Sequence, residues 1–156
     1  MTGGTLQDSL VINNSSTYYT SGGGVFIYTR LTQTSAYIFG CAICDNVVSG
    51  SGASCGGVCS SSIAFQGVST MANCIVTYNT APNVSATGGS LTQVTNVTTN
   101  TTPDFTNRRG GDYRLTPDAV AYLNVGTNSY ADAYDLDKNP RIFGSAVDIG
   151  AYERQS

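Results

Sequence analysis

The side chains best suited to chemistry are five cysteines, in a chain of 156 residues that contains no histidine. They stand at positions 41, 44, 55, 59 and 74. The first four have a spacing compatible with a four-thiolate zinc site. Alternation along a strand, however, places Cys41 and Cys44 on opposite faces, which does not suit a chelate. We therefore favour Cys41 and Cys74 as stacked core residues, and a disulfide either between Cys55 and Cys59 or between Cys44 and one of them.

A second oxygen-rich pattern lies near the carboxyl end of the chain. Asp135, Asp137 and Asn139 have the alternate spacing with which calcium-binding loops begin. Pro140 stands where such a loop needs glycine, and no glutamate arrives at its twelfth position. A turn explains the same residues without a metal, so we predict no cofactor and keep calcium at these three residues as the alternative.

The acidic residues of the first hundred positions do not form a catalytic set. Asp8 and Asp45 are the only ones, and they stand differently relative to the neighbouring repeat marks. Hydrolysis of glycans needs two converging carboxylates, and nucleophilic catalysis needs a base such as histidine. We predict no catalytic residues. Aromatic rings that stack on sugars are the remaining possibility for binding, and the candidates are Tyr18, Tyr19, Tyr28, Tyr37 and Tyr78.

Two sequence motifs recur along the chain with one period, and the elements that contain these motifs must position the side chains named above. Glycine pairs occur at 23–24, 56–57 and 88–89, so they return at an interval of about 33 residues. Short alternating segments that end in an asparagine return at the same interval, and a weaker copy follows. These asparagines are Asn14, Asn46, Asn79 and Asn100. Two independent marks that keep one period indicate a repeat architecture.

The repeat consists of strands, because apolar residues alternate over four to six positions and no helical period is sustained. A strand–turn–strand unit of this length that stacks on itself predicts an all-β fold, a right-handed parallel β-helix (solenoid) of about four rungs. Like residues would then stack, with the four asparagines forming a ladder. We assign 1–103 to the rungs. We assign 104–156 to an irregular C-terminal cap, with a helical turn at 116–122, that covers the exposed end of the last rung.

The closing segment carries a resemblance. The stretches DYRLTPDA (112–119), VGTNS (125–129) and DLDKNPRIFGSAVDIGAYE (135–153) resemble the C-terminal signature of bacterial right-handed β-helix surface proteins of the choice-of-anchor type. Upstream, GGGVFIY (22–28), CAICDN (41–46) and NCIVTYNT (73–80) resemble marks of pectin-lyase-like and polymorphic outer-membrane repeats. The resemblance implies a parallel β-helix from a secreted or surface protein.

The composition argues against two kinds of partner, nucleic acids and membranes. Charged residues make up 11% of the chain and the net charge is −3, so no basic stripe is present to neutralise nucleic-acid phosphates. No apolar run approaches the length of a membrane span. The first repeat begins abruptly at its glycine pair, so we expect further upstream rungs or a partner over the open first unit.

Together these observations predict a non-enzymatic, extracellular or cell-surface structural or adhesive module that assembles end to end through its first rung. The alternative is a carbohydrate-binding or polysaccharide-degrading β-helix fragment of the lyase type.

Overall fold

The computed structural model describes residues 3–17, 22–29, 35–50, 55–62, 69–87, 91–99 and 101–156. These residues form an all-β protein of mostly parallel strands, which confirms the predicted fold class at that level. The strands are β1 (Gly4–Gln7), β2 (Leu10–Ile12), β3 (Ser15–Ser16), β4 (Val25–Thr29), β5 (Ala36–Phe39), β6 (Ala42–Cys44), β7 (Val47–Val48), β8 (Val58–Ser62), β9 (Ser69–Thr77), β10 (Val84–Thr87), β11 (Leu91–Thr98), β12 (Phe105–Asn107) and β13 (Asp112–Leu115). Two short 3₁₀ helices, Arg108–Gly110 and Asn128–Tyr130, complete the regular structure of these residues.

Most strand pairs follow the period of the sequence, whereas β8–β10 and β9–β11 join residues that are closer along the chain. The largest sheet has the order β1-β5-β9-β6-β2, with β11 also paired to β9, and two smaller parallel sheets have the orders β10-β8-β4 and β3-β7. Leu6 pairs with Ile38 and Ile38 with Met71, so each partner lies one period further along the chain. We call β1–β4 the first layer, β5–β8 the second, β9 and β10 the third, and β11 the fourth. Each layer thus lies on the next with its equivalent residues aligned.

Left-handed residues bend the chain between strands at equivalent positions. Asp8, Gly40 and Asn73 have φ values of 42°, 56° and 54° and follow one another at the repeat interval. A second row consists of Asn13, Asp45 and Tyr78, with φ values of 55°, 58° and 59°. Asparagine, aspartate and glycine tolerate this conformation best, so their recurrence at these positions has a steric reason.

The apolar side chains form two clusters on opposite sides of the strands. The interior cluster contains Ile27, Ala36, Ile38, Cys41, Ile43, Val58, Met71, Cys74 and Val76. The exterior cluster joins three outward side chains of β6 and β9 to residues of the C-terminal segment, and its members are Ala42, Cys44, Ile75, Tyr113, Ala119, Tyr122, Ile149 and Ala151. Residues 104–156 are therefore held by burial against the side of the strands.

This placement differs from the expected cap over the last rung. Hydrogen bonds and ion pairs from residues 104–156 reach Asp8, Asp45, Asn73 and Asn96, which belong to all four layers. The segment thus runs along the side of the stack. The reason is that β6 and β9 expose apolar residues outward as well as inward, which alternation alone does not reveal. The helical turn expected at 116–122 is a series of turns instead, and a single antiparallel pair, β12–β13, opens the segment.

Candidate functional site

A column of asparagines connects the layers at one corner. The backbone N–H and Nδ2 of Asn14 donate to Oδ1 of Asn46 at 3.0 and 2.9 Å. The same two groups of Asn46 donate to Oδ1 of Asn79, both at 2.9 Å. Asn79 donates in turn to Oδ1 of Asn83, both at 3.1 Å. Asn100, predicted as the fourth member, lies outside the described residues.

Each of the two central asparagines also satisfies a carbonyl group. Nδ2 of Asn46 donates to the oxygen of Val11 at 2.8 Å, and Nδ2 of Asn79 donates to that of Ile43 at 2.8 Å. Asn46 is fully buried, so these bonds replace water for polar groups that burial would otherwise leave unpaired. Asn14 is exposed, and no donor among the described residues reaches its Oδ1. The column is therefore open at the first layer.

The glycine pairs lie directly beside this column. A Cβ atom on Gly24 would stand 2.9 Å from Nδ2 of Asn46. One on Gly57 would stand 3.0 Å from Nδ2 of Asn79 and 2.1 Å from the carbonyl oxygen of Asn83. Glycine is required here because the backbone approaches the amides too closely for any side chain. The two motifs that repeat in the sequence, the glycine pairs and the asparagines, are thus parts of one structural feature. The third glycine pair, 88–89, lies outside the described residues.

The cysteines divide into a disulfide and three buried thiols. Cys55 and Cys59 form the disulfide, one of the pairings left open by the sequence. Cys41 and Cys74 lie in the interior cluster, and each thiol contacts the carbonyl oxygen two residues before it, at 3.1 and 3.0 Å. Burial raises the pKa of Cys74 well above its ordinary value, and burial raises the pKa of Cys44 to about 12. Both of these thiols are protonated core groups, with Cys44 on the opposite side of the strands from Cys41.

One buried ion pair ties the C-terminal segment to the first layer. Nε of Arg141, a side chain 1% exposed, lies 2.9 Å from Oδ1 of Asp8. The guanidinium also contacts Glu153 at 3.4 Å and donates to the carbonyl oxygen of Gly150. Burial raises the pKa of Asp8 to about 6 and that of Glu153 to about 7, although Arg141 opposes both shifts. Buried charges in this arrangement depend on one another.

A second contact lies at the corner of the second layer. Arg108 forms an ion pair with Asp45, and its guanidinium carbon lies 3.7 Å from the ring centre of Tyr78. The hydroxyl of Tyr113 donates to the other carboxylate oxygen of Asp45 at 2.7 Å. Burial, followed by this hydrogen bond, raises the pKa of Tyr113 well above its ordinary range. Tyr113 therefore stays protonated and cannot act as a base near neutral pH.

The three residues of the calcium alternative take part in the packing of the C-terminal segment. Asp135 accepts backbone N–H groups of Asn139 and Glu153 at 2.8 and 2.9 Å. Asp137 accepts two hydrogen bonds from Arg114, both at 2.7 Å. Among the described residues, no three His, Cys, Asp or Glu side chains gather as a metal ion requires. Asp148 and Glu153 likewise accept backbone N–H groups, so the carboxylates of this segment organise its turns.

The tyrosines proposed for sugar stacking have different surroundings. Tyr37 is 37% exposed and lies next to Phe39, which stacks on Tyr130 with ring centres 4.8 Å apart. Tyr28 is half-buried beside Phe26, while Arg108 covers one face of Tyr78. Tyr18 and Tyr19 lie outside the described residues. Of the three candidates that the structure describes, Tyr37 has the most exposed side chain, and the rings of Phe39 and Tyr130 lie near it.

Small pockets accompany the contacts of the C-terminal segment. One of about 250 Å³ is lined by residues that include Arg114, Asp137, Asn139, Tyr152 and Arg154. Two others, of about 190 and 230 Å³, share Arg108 as a wall. Most of the charged groups at these pockets are already paired, Arg114 with Asp112 and Asp137, and Arg108 with Asp45.

No protein-family model matches the chain, and no curated protein or solved structure matches it. In the part of the chain that the structure describes, no helix has the length and apolar content needed to cross a membrane.

Four residues that connect the C-terminal segment to the layers were missed at the sequence level. Asp8 and Asn73 share the left-handed row with Gly40, so their separation by two full periods carried a usable signal. Asp45 precedes a repeat asparagine and carried a similar signal. Arg141 lies far along the chain from its partner and belongs to no repeat, so no pattern pointed to it.

Proposed function

We propose that the chain is a non-enzymatic structural module, a right-handed parallel β-helix of about four rungs from a secreted or cell-surface protein. Its role would be that of a stiff spacer or adhesive element. The observation that carries the proposal is the asparagine column, in which Asn14, Asn46 and Asn79 contact one another at the repeat distance. Such a column is the arrangement expected when successive coils of a solenoid lie in register.

The pairing of the layers supports the solenoid. All described strand pairs among the four layers are parallel. Partners in the first two layers, and the partners of β9 in β5 and β6, are one period apart along the chain. Parallel strands need crossover connections, and crossovers in proteins are nearly always right-handed. The resemblance of 135–153 to the closing segment of bacterial β-helix surface proteins supports the same assignment.

Two features support an extracellular location. The disulfide between Cys55 and Cys59 suits an oxidising compartment. Only 11% of residues are charged, so hydroxyl and amide side chains supply most of the polar surface, as is common in extracellular β-proteins.

The engagement of the acidic side chains supports a non-enzymatic role. Asp8, Asp45 and Glu153 each pair with an arginine, and Asp135 and Asp148 accept backbone N–H groups. A glycosidase needs one carboxyl to protonate the leaving group and another free to attack or activate water.

The test combines two assays on the whole chain. We expect no release of unsaturated or reducing sugar from acidic and neutral polysaccharides, together with slow cleavage by a broad-specificity protease. Turnover of any polysaccharide, abolished by removing an acidic side chain, would overturn the proposal. The Asn46→Ala variant is the control for the protease assay, because it should be cleaved faster if the stack is the source of resistance.

A second candidate is glycan binding at Tyr37, favoured by its exposed aromatic surroundings. Tyr37 pairs in register with Thr5, which is exposed, and with Thr70, which is buried, so one accessible hydroxyl position lies beside the ring. Aromatic rings beside hydroxyl groups suit the apolar face and polar edge of a sugar. A glycan array should then lose its signal with Tyr37→Ala and keep it with Tyr28→Ala; equal signals from both variants would remove this candidate.

A further inference from the structure

Within the part of the chain that the structure describes, no further strand pairs with the outer strands at either end of the stack. Among the described strands, β1, β2 and β4 at one end each pair only with a strand of the second layer. At the other end, β10 pairs only with β8, and β11 pairs only with β9. Both ends therefore present backbone N–H and C=O groups in the direction in which the layers follow one another.

The described strands at these edges lack charge and proline, two of the devices with which proteins usually protect an unpaired strand. No charged residue and no proline occurs within the described strands β1–β4, β10 or β11. Protected edges normally carry lysine, proline, bulges or inward charges. In β11 the described irregularities are a register shift between Leu91 and Gln93 and a left-handed bend at Asn96. The described strands at both ends therefore carry no charge that would repel a further strand.

The interior cluster reaches both ends with matching apolar groups. Leu6, Val11 and Val25 pack against it at the first layer and remain partly exposed, whereas Ile27 is fully buried. Val84, Leu91 and Val97 do the same at the other end. Val25 and Val84 both pair with Val58, so they occupy the same position in their layers. Stacking β1 and β2 of one copy on β11 of another would continue the apolar interior in register. The column of β4, β8 and β10 has three described strands, so one strand position beside Val84 would stay open at the contact.

The C-terminal segment does not cover the ends at which a further layer would stack. Its contacts with Asp8, Asp45, Asn73 and Asn96 lie along the side of the four layers. A cap over the last layer would have had to bury β10, yet Ala86 of that strand is exposed, while Ser60, its partner in the layer below, is 3% exposed.

We infer that the two ends of the stack bind each other in successive copies of this chain, head to tail, through unpaired edges that are uncharged and aligned in register. The inference rests on the proposed structural function. All described pairs between layers are parallel, so a second copy that continues the stack must point the same way. Such a contact joins two different surfaces and does not close on itself, which produces filaments. Each copy would add four layers of about 4.8 Å, or about 19 Å of length.

The register names a pair of positions for a test. Gln7 pairs with Phe39, Phe39 with Ala72 and Ala72 with Thr95, so all four share one outward column. In a head-to-tail contact, Thr95 of one copy would lie against Gln7 of the next. The double variant Gln7→Lys with Thr95→Lys places like charges there, and Gln7→Lys with Thr95→Glu places opposite charges there. The two variants carry the same number of substitutions and are matched controls.

Sedimentation velocity and electron microscopy over a concentration series give the result. We expect the unmodified chain to form filaments, the Lys–Lys variant to associate at least about tenfold more weakly, and the Lys–Glu variant to assemble again. High salt should restore assembly of the Lys–Lys variant, since it screens exposed charges, and this separates repulsion from a folding defect. A chain that stays monomeric at its highest soluble concentration, or a Lys–Lys variant that assembles like the unmodified chain, would overturn the inference. If the chain does not assemble and also does not degrade polysaccharides, the head-to-tail contact is wrong and the structural function still holds. If the chain degrades a polysaccharide, the structural function is wrong, whatever the result for the contact.

Discussion

At the scale of the residue, Asn46 shows how one amide satisfies three neighbours at once. Its Oδ1 accepts two hydrogen bonds from Asn14, and its Nδ2 donates to Val11 and Asn79. No other uncharged side chain offers two donors and an acceptor with this reach except glutamine, which is longer by one methylene group. The bend beside it leaves backbone groups without strand partners, and the amide replaces those partners.

We expect Asn46→Ala to lower the free energy of unfolding by about 2–4 kcal/mol, because it leaves several buried polar groups unpaired. Asn14→Ala is the matched control and should cost about 1 kcal/mol or less, since Asn14 is exposed and ends the column. Urea unfolding of the three proteins measures both effects. Equal losses in the two variants would contradict a role for the buried amide column.

The asparagine period was visible in the sequence because the same local problem recurs in each layer and selects the same residue. The partner of Asn79 was not visible. Asn83, which accepts the hydrogen bonds of Asn79, lies only four residues further along the chain, so it breaks the period that revealed the others. A repeat search finds what is repeated and misses the residue that ends the series.

At the scale of the element, the C-terminal segment acts as a brace along the layers. It contacts the left-handed bends through Arg141, Arg108, Tyr113 and Thr127, and it covers outward apolar residues of β6 and β9. Left-handed bends project their side chains away from the strands, so they offer polar groups to the segment. The brace therefore links layers whose strands pair only with their immediate neighbours.

Adjacent arginines offer a test of the brace. Arg108→Ala removes the ion pair with Asp45 and the contact over Tyr78, and we expect a loss of about 1–2 kcal/mol in the free energy of unfolding. Arg109 is exposed and forms no ion pair within the described residues, so Arg109→Ala should stay within about 0.5 kcal/mol. Limited proteolysis should release peptides from 104–156 sooner in the first variant only. If both variants behave alike, Arg108 does not hold the segment.

The sequence could reveal that residues 104–156 differ from the repeats, but it could not reveal where they pack. Ala42, Cys44 and Ile75 face outward in strands whose alternate residues also fill the interior. Strands that are apolar on both faces read as continuous apolar runs, and such a run does not say what covers the second face.

At the scale of the whole molecule, the first layer and the last residues share one set of buried charges. Asp8 and Glu153 face Arg141, while Asp132, Asp135 and Asp148 add negative charge nearby. Burial raises the pKa of Asp8 from 3.8 to about 6 and that of Glu153 from 4.5 to about 7, and burial also raises the pKa of Asp148. The folded chain therefore binds protons that the unfolded chain releases.

The sign of the pH dependence follows from these shifts. The stabilisation from proton binding is complete below the unfolded pKa values and is lost as pH rises through about 6 to 7. We expect the urea midpoint to fall between about pH 5 and about pH 8, and Glu153→Gln to reduce that fall because the amide does not titrate. A midpoint that rises over this interval would show that the ionised carboxylates are the favoured forms in the fold.

The shared offset of one period between most aligned strands also limits how such a chain can change in length. Removing one residue from β9 would turn the side chains that follow in that strand to the opposite face, interior for exterior. Removing or duplicating a complete period would keep every alignment and change only the number of layers. Genes for this architecture are thus expected to grow and shrink by whole-unit duplication and loss, with single-residue insertions confined to the connections between strands.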